Sequence, residues 1–64
     1  MKRRDLEMII AQIARRDGLT VTWTEGANHT KVRMGKRVTM IPRHREIKES
    51  LARAIIRDLQ EDPT

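Results

Sequence analysis

Two histidines and six lysine or arginine side chains lie within twenty residues of a 64-residue chain. They are His29, Lys31, Arg33, Lys36, Arg37, Arg43, His44 and Arg45, and no Asp or Glu stands between residues 26 and 45. Histidine beside unopposed cations suits metal-free RNA cleavage. An imidazole titrates near neutrality, so it can take the 2′-OH proton or protonate the departing 5′-oxygen. Neighbouring cations hold the scissile phosphate and stabilise the charge that builds in the transition state. The 2′-OH is the internal nucleophile, so the protein needs none of its own.

Other chemistries fit poorly. Ser50 is the only serine and lies in a helical pattern, away from the histidines. With two His and no Cys, a zinc site would need carboxylates, and the positive segment repels a cation. No metal and no small-molecule cofactor is expected. The histidine segment lacks the paired carboxylates of glycoside chemistry, and no glycine-rich phosphate loop is present.

Composition narrows the partner. The formal net charge is +5. It is concentrated in residues 26–45, whereas residues 1–25 are close to neutral and residues 46–64 are acidic on balance. A run of this kind points to a polyanion; its bland counterpart is a charged face kept for solubility. Trp23 is the only aromatic residue, which argues against RNA-binding sheets and barrels that stack bases on aromatic rings. Absence of Cys removes disulfide frameworks. The basic start is followed by Asp5 and Glu7 rather than an apolar run, so neither a signal peptide nor a membrane span is expected, and the expected compartment is the cytoplasm. A chain this short forms one domain, residues 1–64, and buries only about 60% of its unfolded surface.

The elements that must position these groups follow from periodicity. Leu6, Ile9, Ile10 and Ile13 form one apolar helical stripe, with Asp5 and Glu7 early, Arg15 and Arg16 late, and Gly18 as the stop. Leu19 to Thr24 alternates strictly, which predicts a half-buried strand with Leu19, Val21 and Trp23 facing the core. Residues 25–28 read as a turn, His29 to Met34 as a second strand, and Val38 to Ile41 as a third that ends at Pro42. To keep Val32, Met34, Val38 and Met40 on one face, the hairpin needs a three-residue loop containing Gly35. His29, Lys31, Arg33, Arg37, Thr39 and Ile41 then share the other face. A helix from about Lys48 to Gln60 buries Ala52, Ile55, Ile56 and Leu59, and Asp62-Pro63-Thr64 is a frayed tail. The expected class is α+β, in the order α-β-β-β-α. Both helices lie on one face of a three-stranded antiparallel sheet, as in double-stranded-RNA-binding domains.

Four stretches carry a more specific resemblance. Gly26-Ala27-Asn28-His29-Thr30-Lys31 resembles the G-x-N-H-x-K segment of HicA-type toxins from bacterial toxin–antitoxin modules. Pro42-Arg43-His44 is similar to that family's P-R-H segment after the third strand. Residues 46–57 and the Lys2 to Ile10 start resemble its final and first helices, so the likeness spans nearly the whole chain in order. Ala27-Asn28 departs from the Ser or Gly–Ser that many members carry before the histidine. The resemblance implies a small mRNA interferase that cleaves mRNA and arrests translation and growth, with His29 catalytic. It also implies a cognate HicB-type antitoxin that masks the active surface.

Beside the resemblance, each residue has its own reading. Lys31 and Arg33 follow His29 on its strand face at about 7 and 13 Å, where they can hold phosphate; so can Arg37. Arg43 and His44 enter the last helix, whose start attracts phosphate together with Lys48; His44 can equally anchor its loop by hydrogen bonding. Lys2, Arg3 and Arg4 form a basic terminus that is mobile by default. Trp23, Met34 and Met40 are expected in the core. The competing functional readings are a non-catalytic RNA-binding module that blocks translation by occupancy and, further off, a DNA-binding protein.

Overall fold

The computed structural model describes residues 1–63 and has the α-β-β-β-α order. Helix α1 spans Arg3–Asp17, strand β1 Val21–Glu25, β2 His29–Met34, β3 Arg37–Pro42, and helix α2 Glu49–Asp58. The strands form one antiparallel sheet in the order β1-β2-β3. No helix is long and apolar enough to cross a membrane among the described residues.

Gly18 ends α1 as its position suggests. Its φ of 67° is left-handed, and the chain closes with Leu19 N–H on Ala14 O (2.8 Å) and Gly18 N–H on Arg15 O (3.3 Å). Both bonds satisfy carbonyls that the helix end would otherwise leave free. The expected stripe is present: Leu6, Ile10, Ile13 and Ala14 are buried, with Ile9 at its margin. From α2, Ala52 and Ile55 meet it, and Leu59 and Ile47 close the two ends. Val32, Met34 and Ile41 supply the sheet's share of the core.

The β2–β3 register differs from the expectation. The loop has two residues, Gly35-Lys36, and Met34 opposes Arg37. Gly35 takes a φ of 63° while no other residue type has positive φ, the sign pattern of a type II′ turn, whose twist suits a hairpin. Every β3 side chain is therefore on the opposite face from the one apolar matching predicts. Thr39 and Ile41 are buried, and Val38 and Met40 are 41% and 49% exposed. The apolar count of Val38 and Met40 misled; Ile41 marked the true inner face. Trp23 does oppose Val32 on the helix side, but it is 40% exposed, because β1 is an outer strand and α2 packs over β3 at the other edge.

Arg37 sits on the helix face at its edge. Its guanidinium bonds Asp17 Oδ2 at 2.7 Å, Asp62 Oδ1 at 2.9 Å and Leu59 O at 3.0 Å, so it ties the ends of both helices to the hairpin. Asp62 is thus engaged where the sequence suggested a frayed tail; Thr64, the last residue of that tail, lies outside the described residues. Hydrogen bonds from Arg16 and then Arg37 hold the Asp17 carboxyl well below the ordinary carboxylate range. A carboxyl depressed in the fold stabilises it above its unfolded pKa of about 3.9 and loses that contribution as pH falls further. Melting temperature should accordingly fall as the pH drops below about 4, by a modest amount because solvent screens the group. Asp17→Asn should melt lower at neutral pH and respond less to acid; parallel melts of the two proteins across pH 3 to 7 check this.

The N-terminus is also fixed. Arg3 N–H donates to Arg45 O and Ile47 N–H to Met1 O, both at 2.8 Å, around a Lys2–Glu46 bridge. The terminal ammonium meets Ile47 O at 3.0 Å and Glu46 Oε2 at 3.3 Å. The basic start is therefore ordered, with Lys2 in the bridge and Arg3 and Arg4 in the first turn of α1, and is not a mobile arm.

Candidate nucleic-acid interface

Successive strand residues point to opposite faces, and β2 carries its cations outward. His29, Lys31 and Arg33 are exposed, while Thr30, Val32 and Met34 between them are buried. The cross-strand partners on this outer face are Thr22 and Thr24 from β1 and Val38, Met40 and Pro42 from β3. None is a carboxylate, so the three β2 side chains look out from a face with no opposing charge. Apolar Val38 and Met40 flank Arg33 and Lys31 directly.

His29 starts β2 at the mouth of the 26–28 loop, and the local backbone fixes it there. Gly26 N–H donates to His29 O at 2.8 Å. A Cβ on Gly26 would lie 2.9 Å from that same oxygen, closer than real contacts allow. Gly26 is thus required by the close approach. Gly26→Ala should push the loop away from the strand end and displace His29, lowering any His29-dependent RNA cleavage by about tenfold or more. A gel assay of RNA cleavage checks this, and unchanged turnover would show that the loop does not position the imidazole.

Behind His29, on the helix side, a charged network locks the same end of the sheet. Arg3 Nη2 donates to Thr30 Oγ1 at 2.8 Å, and the Thr30 hydroxyl donates to Glu25 Oε1 at 2.6 Å. Thr30 is fully buried, so this pairing satisfies a hydroxyl that would otherwise be costly. Glu25 also meets Arg43 Nε at 3.3 Å, and Arg43 Nη1 donates to Gly26 O at 3.0 Å. Arg43 N–H reaches Asn28 O at 3.3 Å, which fastens the loop after β3 to the loop before β2.

The site residues predicted from sequence thus divide. His29, Lys31 and Arg33 share the outer face as expected. Arg37 is a correction: the two-residue turn puts it on the helix face, where Asp17 and Asp62 take its charge. Arg43 and His44 turn to the helix side and line an open groove of about 540 Å³ with residues 2–4, Glu7, Arg45 and Glu46. Lys48 is exposed just before α2, outside that groove lining. Lys2, Arg4 and Arg45, on backbone held by the pairing of the chain start with residues 45–47, are site cations that the local sequence pattern does not single out. Their basic character was visible, but the pairing of residues 1–3 with 45–47 joins segments more than 40 positions apart and leaves no local signal. No cluster of three metal-ligating side chains occurs among the described residues.

Comparison of the chain with protein-family models, with curated proteins and with solved structures gave no match.

Proposed function

We propose that the protein is an RNA-cleaving toxin of the HicA type, acting in the cytoplasm on mRNA and held in check by a HicB-type antitoxin. One observation carries the chemistry: His29 opens β2 on an exposed sheet face in line with Lys31 and Arg33, and that face bears no carboxylate. The motif resemblance carries the toxin assignment.

In this reading, RNA lies against the outer face with its scissile phosphate near His29. The 2′-oxygen attacks the adjacent phosphorus as its proton leaves, and the bond to the 5′-oxygen breaks as that oxygen gains a proton. The products are a 2′,3′-cyclic phosphate and a 5′-hydroxyl. The His29 imidazole serves one of the two proton transfers. Lys31 and Arg33 bind the phosphates on either side and offset the charge on the phosphoryl oxygens. Among the described residues no side chain hydrogen-bonds the His29 ring, so strand geometry and bound RNA orient it.

The test is incubation of purified protein with single-stranded RNA in EDTA. Cleavage that survives EDTA and leaves cyclic phosphate ends is expected; cleavage lost with EDTA sinks the metal-free scheme. Binding without any cleavage would instead favour a module that blocks translation by occupancy.

A further inference from the structure

A cationic concavity lies beside the strand face and has no part in the chemistry above. It is the groove between the start of α1 and the loop after β3. Its two carboxylates are already engaged: Glu7 meets Arg3 Nε at 3.0 Å, and Glu46 meets the terminal ammonium at 3.3 Å. Arg43 is partly spent on Glu25. Lys2, Arg4 and Arg45 are exposed, and their side chains have no ion-pair partner among the described residues. The positive end of the fifteen-residue α1 adds to their field.

These cations do not hang on a loose arm. The backbone bonds from Arg3 to Arg45 O and from Ile47 to Met1 O clamp both walls of the groove. With the backbone of both walls already ordered, only the side-chain rotamers of these cations remain to be fixed when an anion binds. The cleft volume is larger than one phosphate requires and falls in the range of sites for sizeable ligands. It also adjoins the His29 end of the sheet, because Arg43 lines it and bonds to both Gly26 and Asn28.

We propose that this groove is a second binding site, for the backbone phosphates of a nucleic-acid strand that continues past the His29 face. Lys2, Arg4 and Arg45 make the phosphate contacts, and Arg43 bridges the two regions. The continuation rests on the outer face being an RNA surface; the groove's affinity for phosphodiesters does not depend on cleavage.

The test reads binding without chemistry, by fluorescence anisotropy with a labelled single-stranded 2′-deoxy oligonucleotide, which lacks the nucleophile. The triple variant Lys2→Ala, Arg4→Ala, Arg45→Ala should bind about tenfold or more weakly at moderate salt. Its slope of log affinity against log salt should be shallower by about 2, from three lost phosphate contacts at roughly 0.7 each. The triple Arg15→Ala, Arg53→Ala, Arg57→Ala makes the same charge change elsewhere and should keep the wild-type slope. Equal slopes for wild type and the groove variant overturn the proposal, as does equal loss in both variants, which would report net charge alone. Inorganic phosphate at matched ionic strength should leave the complex intact; displacement by it would mean a single-phosphate site and no strand. A wild type that binds the oligonucleotide but leaves RNA uncut overturns the cleavage reading and leaves the groove. A groove variant that cleaves and binds like wild type overturns the groove and leaves cleavage.

Discussion

His29→Ala should lose RNA cleavage by about 10²- to 10⁴-fold, the usual worth of one positioned acid or base. The substitution is informative because little else should change. His29 is exposed, its side chain has no hydrogen-bond partner among the described residues, and its backbone bond with Gly26 survives replacement by any residue. Melting temperature and RNA affinity should therefore stay near wild type, with Lys31 and Arg33 still in place. In cells lacking the antitoxin, wild type should stop growth and the variant should not. Equal cleavage by the two purified proteins would remove His29 from the chemistry. Equal growth arrest with no cleavage by either would point to occupancy of the translation machinery instead.

Ile41→Lys should unfold the protein, whereas Met40→Lys should leave it folded. Neighbours in sequence, they lie on opposite faces: Ile41 is fully buried opposite Thr30, and Met40 is 49% exposed opposite Lys31. An unpaired ammonium in the core costs several kcal/mol. A domain of this size has only about 3–10 kcal/mol of total stability. On the outer face the same change belongs with surface substitutions, within about 0.5 kcal/mol. Circular dichroism melts of the two variants decide the register. A folded Ile41→Lys beside an unfolded Met40→Lys would restore the three-residue loop that apolar matching favours.

That pair of residues shows where local reasoning fails. In β2 the alternation is clean, with Thr30, Val32 and Met34 inside and His29, Lys31 and Arg33 outside, so the face that carries the candidate site is legible. In β3 the sequence Arg37-Val38-Thr39-Met40-Ile41 places apolar side chains on both faces, and two apolar residues outvote one. The structure sides with Ile41 because the two-residue turn at Gly35 is the better hairpin, and because Arg37 at the sheet's edge finds Asp17 and Asp62. Neither aspartate is near it in sequence. The same holds for Trp23: parity gives its face, and only the position of β1 at the sheet's edge leaves it 40% exposed.

By itself the sequence determined the element order, both helical stripes, the Gly18 stop and the outward row of His29, Lys31 and Arg33. Each of these is a short-range property, set by the 3.6- or 2-residue period or by one residue's backbone freedom. Only the tertiary structure decided the β2–β3 register, the diversion of Arg37 into the fold, and the groove in which Lys2, Arg4 and Arg45 meet. The register follows the two-residue turn at Gly35, and the other two depend on pairings between residues 20 to 46 positions apart, where the free energy belongs to the contact and leaves no periodic trace in either segment.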